Sequence, residues 1–281
     1  MKLLVTGSSG YIGRFIIADA KRRGDKVIHL TRSEPDEGEW LPFDLENPPT
    51  RLPTADALIH CAFDHIPGRY RGGEGDDPNR FLKRNLEGSV KLFEAAKDAG
   101  VPRILFLSSR AVYDGYPATT RLTEDLPLNP TSLYGQMKWE VEQALNNLDV
   151  IGTSLRATGI YGHPTPNSDH KWSKLFADFE AGKTIEPRAG TELHGNDLVA
   201  AIRLILSLPK EQVANQAFNV SDIVVDRHDL LKAYGEHKGL DRSLPSAVSK
   251  SEKAEMDCTK LNNLGWNPGG WPGLNKFVRA I

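Results

Sequence analysis

The amino-acid sequence predicts an α/β fold built on a doubly wound parallel sheet. Three features support this prediction. A short apolar run at the start of the chain ends in three glycines spaced three apart, Gly7, Gly10 and Gly13. Strand-like and helix-like patterns then alternate over about the first 160 residues, which is the order of a parallel sheet with crossover helices. A further apolar run at 217–220 indicates a strand that rejoins the sheet from far along the chain.

The first unit of strand, turn and helix carries the strongest signal. Leu3 to Val5 have the pattern of a buried strand, and an amphipathic stretch from Phe15 to Ala20 follows the glycines. The first glycine permits a tight turn, the second lets backbone approach a diphosphate, and the third lets the helix pack on the strand. Unpaired N–H groups at the helix start then face the phosphates. This context predicts a Rossmann-type, dinucleotide-binding fold, whereas an isolated glycine triplet could mark an ordinary turn.

Hydrophobic periodicity places the remaining elements in order. The predicted strands are 27–30, 43–45, 57–62, 104–107, 151–157 and 217–220. The predicted helices are 79–99, 133–148, 171–183, 196–208, 226–237 and 259–264. Residues 64–77 are polar and rich in glycine, so we expect a loop, of a length that often serves as a lid.

The division into domains follows from the absence of a linker. The dinucleotide-binding domain is expected over residues 1–160, with sheet and helix contributions that return at about 189–222. A smaller substrate-binding region is expected over 161–188 and 223–281. The second region is therefore interleaved with the first.

Composition excludes several classes of function. The 35 basic and 37 acidic residues give a net charge of −2, so nothing favours nucleic acid or an anionic membrane as a partner. No apolar run approaches membrane-spanning length, and the first strand begins too early for a signal peptide, so we expect a cytoplasmic protein. Cys61 and Cys258 are far apart in the sequence, which predicts two free thiols. No metal is expected, because neither cysteines nor histidines have metal-binding spacing.

The residues after the second strand bear on the cofactor. Thr31-Arg32-Ser33 stand where an acidic residue would bind the ribose 2′-hydroxyl of NAD. A guanidinium fork matches a 2′-phosphate instead, so NADP is favoured, with NAD possible. Alternatively, Arg32 is a solvated surface residue and Glu34 binds the ribose. Asp44, after the third predicted strand, either contacts adenine or forms a turn.

A candidate acid–base pair lies on the helix at 133–148. Tyr134 and Lys138 are four residues apart, which places both on one helical face. A tyrosine pKa near ~10 is too high for acid–base catalysis at neutral pH, and a nearby ammonium favours the phenolate. Ser109 ends the fifth strand, at the crevice where such sheets bind ligands, and can hold a substrate oxygen there. The Tyr–Lys spacing alone is common by chance.

Together these motifs resemble the extended short-chain dehydrogenases/reductases, in the epimerase/dehydratase branch. The resemblance rests on the glycine turn, Asn85-Leu-Glu-Gly88, the Ser-Ser-x-x-Val-Tyr segment 108–113, segment 156–162 and Leu264-Gly-Trp-x-Pro268. It implies that Tyr134 is the acid–base and that Lys138 binds the nicotinamide ribose and lowers the tyrosine pKa. It also implies that Ser109 donates a hydrogen bond to the substrate oxygen while hydride passes to or from nicotinamide C4.

The resemblance also implies binding residues and a partner. The expected cofactor contacts are Gly7, Ser9, Gly10, Tyr11, Ile12, Gly13, Arg32, Asp44, Leu45, Cys61, Ala62, Asn85, Tyr134 and Lys138. The candidate substrate contacts are Arg110, Tyr113 and Gly159. Arg110 either binds a carboxylate or phosphate or pairs with a surface acid, and Tyr113 either lines the pocket or packs. Members of the family often form homodimers, here through apolar faces with Leu86, Val90, Phe93, Trp139, Val141 and Leu145.

Departures from the family pattern bear on the substrate. Arg110-Ala111 replace the acidic pair of the dehydratases, which disfavours sugar dehydration. Gly159 and Gly190 replace the Asn and Arg that contact nucleotide sugars, and the C-terminal half is short. We therefore expect an NADP-dependent oxidoreductase or epimerase acting on a sugar-like or other small hydroxy/keto compound. The alternatives are a nucleotide-sugar epimerase with tightly bound NAD and a non-catalytic NADP sensor.

Overall fold

A computed structural model describes residues 1–66, 72, 74–166, 168–249 and 254–281. The described strands are β1 Lys2–Thr6, β2 Lys26–Thr31, β3 Glu39–Pro42, β4 Ala57–His60, β5 Arg103–Ser109, β6 Ile151–Ala157, β7 Gly159–Tyr161, β8 Ala189–His194, β9 Gln216–Val220 and β10 Ile223–Asp226. Seven of them form a parallel sheet in the order β3-β2-β1-β4-β5-β6-β9. This is the predicted doubly wound α/β fold.

Helices connect these strands. The described α-helices are α1 Tyr11–Arg23, α2 Pro78–Leu82, α3 Gly88–Asp98, α4 Leu133–Asn146, α5 Ser173–Glu180, α6 Gly195–Ser207, α7 Lys210–Val213, α8 Arg227–Lys238, α9 Thr259–Asn262 and α10 Gly270–Arg279. A π-helical turn, Lys83–Glu87, joins α2 to α3, and a 3₁₀ turn, Arg110–Tyr113, follows β5.

The large sheet has a hydrophobic core on each face. Leu3 and Val5 pack with α1 and α6 on one face, whereas Leu4 packs with α3 and α4 on the other. Alternation of side chains along β1 produces this division. Strands β1, β4 and β5 are almost entirely buried, which explains why their sequences read as continuous apolar runs.

A smaller sheet holds three strands in the order β10-β8-β7. Strand β8 is parallel to β7 and antiparallel to β10. A third apolar cluster, which includes Trp172 and Phe176 of the α5 region, Tyr234 of α8 and Phe277 of α10, is centred on this part of the protein. The segment 189–222, which was expected to return to the large sheet as a whole, is therefore divided. Strand β8 lies in the smaller sheet, β9 lies in the larger sheet, and α6 packs against the larger sheet.

Several predicted elements need correction. The third strand is Glu39–Pro42 and not 43–45. Phe43 and Leu45 are apolar because they are buried after the strand has ended, with the Phe43 amide donating to Thr31. The smaller sheet's strands, α7 and α10 were not predicted. Residues 67–71 and 73 of the predicted loop lie outside the described residues. No helix in the described ranges is long and apolar enough to cross a membrane.

Candidate active site

The glycine turn after β1 brings backbone segments closer than larger residues allow. Gly7 has a φ of +64°, and a Cβ atom there would lie 2.9 Å from the backbone of Ala62. A Cβ atom at Gly13 would lie 2.1 Å from the carbonyl oxygen of Gly7. The Gly10 amide donates to that same oxygen at 3.0 Å and closes the turn. Contact between strand, turn and helix therefore requires Gly7 and Gly13.

The start of α1 offers backbone donors to an anion. No side chain within the described ranges caps this helix at Gly10, and its first turn contains no acidic residue. The first N–H groups of a helix lack intrahelical partners, and the helix dipole favours negative charge beside them. The turn therefore fits a dinucleotide diphosphate in both shape and charge.

A buried hydrogen-bond chain links the ends of β1 and β4 to α3. Thr6 Oγ1 accepts the N–H groups of the two residues after β4, at 3.1 Å each, so its proton goes to Nδ1 of His60 at 2.7 Å. Nε2 of His60 then donates to Ser89 at 2.9 Å, and Ser89 donates to the Asn85 carbonyl at 2.5 Å. Burial and the charge of Lys138 lower the pKa of His60 to about 3, so the ring stays neutral.

Asn85 positions the chain that follows β4. It lies in the π-helical turn and is buried. Its side-chain oxygen accepts the Asp64 amide at 2.8 Å, and its nitrogen donates to the carbonyls of Asp64 and Phe81 at 2.8 and 3.0 Å. These contacts use the amide within the protein and hold residue 64 near the glycine turn.

Lys138 is buried at the carboxyl end of β5. Its ammonium donates to the Leu107 carbonyl at 2.8 Å and lies 4.6 Å from the centre of the Phe106 ring. The same nitrogen lies 5.8 Å from the centre of the Tyr134 ring, across the helical turn that separates the two residues. Burial lowers the pKa of Lys138 from 10.5 to about 7, and the nearby Cys61 and Glu142 only partly offset this effect.

Ser109 and Tyr134 lie at the same end of the sheet. The Ser109 hydroxyl accepts the Ala111 amide at 3.2 Å and caps the 3₁₀ turn. Helix α4 packs so closely on this turn that a Cβ atom at Gly135 would lie 2.4 Å from the Ala111 carbonyl oxygen. The ring of Tyr134, the residue before Gly135, lies 5.0 Å from that of Phe63. The packing thus brings Tyr134 to the segment that begins at Ser109.

Residues 3–221 match the model of the NAD-dependent epimerase/dehydratase family, and this match covers most of the chain. The chain belongs to this family. Similar curated proteins include the UDP-glucose 4-epimerases of Corynebacterium glutamicum and Bacillus subtilis. The first is 30% identical over 182 residues, which is 60% of this chain and 55% of the relative. The second is 33% identical over 163 residues, 53% of this chain and 48% of the relative. The chain thus matches about half the length of these relatives.

Solved structures share the fold over the whole chain. UDP-glucose 4-epimerase of Thermotoga maritima, with UDP-glucose, superposes with a TM-score of 0.79 at 20% identity and covers 100% of this chain and 97% of its own. MoeE5 in complex with UDP-glucuronic acid and NAD superposes with a TM-score of 0.80 at 24% identity and the same coverage. At these identities the likeness shows the fold of the family.

A buried network of side-chain hydrogen bonds connects the elements that carry the candidate site. Glu142 accepts hydrogen bonds from Ser108 and from Arg156, whose Nη2 lies 2.7 Å from the carboxylate. Arg156 also donates to the Tyr113 hydroxyl at 2.5 Å, and that hydroxyl donates to Asn219 at 3.0 Å. Sequence reasoning missed this network. One signal was available, because Glu142 follows Lys138 by four residues and so lies on the same face of α4.

The candidate substrate residues occupy three different settings. Tyr113 is 1% exposed, and its hydroxyl is used in the buried network, so it packs and does not line an open pocket. Arg110 donates to the Ala254 carbonyl at 3.0 Å and lies 3.5 Å from Asp114, which ties it to the C-terminal segment. Gly159 lies in β7, in register with Glu192 of β8.

The predicted adenosine contacts also differ in setting. Arg32 follows β2, is exposed, and forms no hydrogen bond or ion pair with the part of the chain that the structure describes. The Asp44 carboxylate accepts the Glu46 amide at 2.7 Å, so it forms a turn. Leu45 is buried, and its carbonyl oxygen lies 2.0 Å from where a Gly88 Cβ would stand. Arg32 is therefore the group available to a ligand.

One residue beside the glycine turn forms a hydrogen bond with a distant segment of the chain. Ser9 is exposed and Ile12 is half-buried. The Tyr11 hydroxyl donates to the Gly162 carbonyl at 2.6 Å. The start of α1 is thus joined to the segment that follows β7.

Cys61 is held by the end of β1. Its thiol donates to the Thr6 carbonyl at 2.8 Å. Burial raises its pKa to about 12, although the Lys138 charge acts in the opposite direction. The thiol is therefore neutral, and both cysteines are free. In the described ranges, no group of three or more His, Cys, Asp or Glu side chains could hold a metal ion.

Proposed function

We propose that this protein is an NADP-dependent oxidoreductase or epimerase that transfers hydride at a hydroxyl or carbonyl carbon of a sugar-like substrate. The observation that carries the proposal is the placement of Tyr134 and the buried ammonium of Lys138 on one face of α4. This face meets the strand end that holds Ser109. A phenol, a cation and a hydroxyl at one edge of a dinucleotide-binding sheet suit proton transfer coupled to hydride transfer.

The surroundings of each candidate residue support a specific role in the proposed reaction. Tyr134 exchanges a proton with the substrate oxygen, and Ser109 donates a hydrogen bond to that oxygen. Lys138 favours the phenolate while it is protonated. Bound cofactor supplies the hydride exchange at its nicotinamide ring. The glycine turn and the start of α1 bind the diphosphate, and Asn85 positions the chain after β4.

The choice of NADP rests on Arg32. Its guanidinium is exposed beyond β2 and has no carboxylate partner among the described residues. A 2′-phosphate would supply such a partner through a bidentate contact. NAD is the alternative, because the family is described as NAD-dependent and MoeE5 was solved with NAD.

Replacement of Tyr134 by Phe tests the proposal. We expect turnover to fall by roughly 10²–10⁴-fold, the usual worth of a positioned acid–base, with cofactor affinity little changed. Tyr116→Phe is the matched control, since its hydroxyl donates to the Pro127 carbonyl outside the site. A panel of sugars and ketones with NADPH supplies the assay. Full activity in Tyr134→Phe would contradict the proposal, and unchanged cofactor-dependent output without turnover would instead indicate a sensor.

The same assay separates two reaction types. Consumption of NADPH in proportion to substrate indicates a reductase, whereas turnover with catalytic cofactor indicates an epimerase. A nucleotide-sugar epimerase with tightly bound NAD is the second candidate, because the curated relatives are named UDP-glucose 4-epimerases. It predicts that the purified protein already contains NAD.

We also propose a homodimer through α3 and α4. Trp139 is 37% exposed on α4, and Leu86 and Val90 are half-buried. Phe93, Val141 and Leu145 belong to the intramolecular core instead. The exposed tryptophan is the residue of this set most suited to an interface. Sedimentation equilibrium showing a monomer at micromolar concentration would contradict this proposal.

A further inference from the structure

A cavity of about 410 Å³ lies between the smaller sheet, α5 and α8. Its lining is mixed in character. Trp172, Leu175, Ile185, Ala189, Val225 and Leu230 supply apolar surface. Charged groups line it too, and these are Lys171, Lys174, Asp178, Glu186, Arg188, Glu192 and Arg227. A concave apolar wall with a few charged groups is typical of a small-molecule site.

Gly190 is part of the lining of this cavity, and Gly159 lies on the next strand but one from β10, beside β8. Gly190 of β8 is in register with Val225, and Gly159 of β7 is in register with Glu192. Lys171 fills the space above Gly159, with its ammonium 2.5 Å from each carboxylate oxygen of Glu192. A Cβ atom at Gly159 would lie 2.4 Å from that ammonium. Glycine at this position therefore permits the ion pair.

The ion pair stands close to the proposed reaction site. Gly159 lies two residues after Ala157, and Ala157 pairs with Ser109 across β5 and β6. Lys171 and Glu192 line the cavity beside Gly159, which is two residues along the chain from the strand pair that contains Ser109. A charged donor and a charged acceptor held together are suited to binding sugar hydroxyls, which both donate and accept.

Two guanidinium groups line the same cavity, and neither forms an ion pair with a carboxylate in the described ranges. The Arg227 amide donates to the Arg188 carbonyl at 2.9 Å, so the two residues are neighbours in space. The Arg227 side chain donates to the Glu186 carbonyl at 2.8 Å, whereas the Arg188 side chain forms no hydrogen bond or ion pair within the described ranges. Burial and the positive charge of Arg188 lower the pKa of Arg227, and the charge of Glu186 only partly offsets this effect. Adjacent cations that repel each other indicate a place for an anion.

We propose that this cavity anchors the substrate through one compact anionic group, a carboxylate or a phosphate monoester, on a polyhydroxylated chain. Arg188 and Arg227 bind the anion, and the Lys171–Glu192 pair binds hydroxyls nearer the reacting carbon. The proposal rests on the function proposed above and narrows its substrate class to sugar acids and sugar phosphates. Nucleoside diphosphate sugars are disfavoured, because Gly159 and Gly190 offer no side-chain donor and Glu192 neutralises Lys171.

Isothermal titration calorimetry of the full chain tests this inference. D-glucuronate, glucose 6-phosphate, UDP and UDP-glucose are titrated with and without NADPH. We expect one of the first two to bind more tightly than either uridine nucleotide. Arg188→Gln and Arg227→Gln should each weaken that binding at least tenfold. Lys210→Gln is the matched control, because this lysine is exposed on α7 and lies outside the cavity lining, so the affinity of this variant for the compact anion should not change.

Gly159→Asn gives a second, independent measurement. The inserted side chain must separate Lys171 from Glu192, so we expect weaker binding of the compact anion with unchanged NADPH affinity. Tighter binding of UDP or UDP-glucose, equal affinity in the arginine variants, or no binding of either compact anion would overturn the inference. Failure of the wild-type protein to bind any pyridine nucleotide would contradict the proposed function instead, which keeps the two failures distinct.

Discussion

Lys138 is a lysine whose side chain is buried, and burial disfavours its charged form. Its pKa falls to about 7 because the protein removes its ammonium from water. From the sequence alone, Lys138 is expected to stay protonated beside Tyr134 at neutral pH. With a pKa of about 7, Lys138 loses its charge as the pH rises through that value, so its influence on the tyrosine weakens.

Arg32 gives a prediction at the residue scale. Arg32→Ala should weaken NADP binding at least tenfold, because a bidentate guanidinium–phosphate contact would be lost, and should change NAD binding little. Fluorescence titration with NADPH and NADH measures both affinities. Arg51→Ala, an exposed arginine elsewhere on the surface, is the control. Equal losses for the two cofactors would count against a 2′-phosphate at this position.

At the scale of elements, α4 is fixed at two points. Gly135 lets its first turn approach the Ala111 carbonyl, and Glu142 joins its middle to β6 through Arg156. Glu142 and Arg156 are both nearly inaccessible to water. Removal of one partner of such a pair would leave a buried charge uncompensated, at a cost of about 3–5 kcal/mol. These contacts hold Tyr134 and Lys138 in relation to Ser109.

Two glycines in helices make a matched test of this packing. Gly135→Ala should destabilise the protein by about 1–3 kcal/mol, because the added methyl meets backbone that cannot move freely. Gly273→Ala in α10 should be neutral or stabilising by up to about 1 kcal/mol, since nothing lies within 4 Å of its added methyl. Urea denaturation compares the two variants. Equal stability would show that α4 does not depend on this close approach.

Across the whole molecule, four histidines lie where burial favours the neutral ring. Burial lowers the pKa of His60 to about 3 and of His170 to about 4, and it also lowers the pKa values of His29 and His194. In the unfolded chain these groups titrate near 6.5. The unfolded state therefore binds more protons below that pH, so their contribution to stability is full above pH 6.5 and declines as the pH falls.

This linkage predicts a fall in stability between pH 7.5 and pH 5. His60 alone should contribute a loss of about 2 kcal/mol between pH 6.5 and 5, at ~1.4 kcal/mol per pH unit. His60→Gln should lower stability at pH 7.5, since it breaks the buried hydrogen-bond chain, and should flatten the pH dependence. Thermal denaturation across this range is the measurement. The exposed His237 supplies the control His237→Gln, and an equal slope in wild type and His60→Gln would refute the linkage.

Features that depend on neighbours along the chain could be predicted from the order of residues alone. The glycine turn, the buried strand before it and the shared face of Tyr134 and Lys138 follow from backbone freedom and helical spacing, which are local properties. The burial and pairing of charged groups, in contrast, depend on how distant parts of the chain pack in the folded protein. This packing places Glu142 against Arg156, lowers the pKa of Lys138 and sets Lys171 above Gly159, and burial and contact over long separations leave no periodic trace in the sequence.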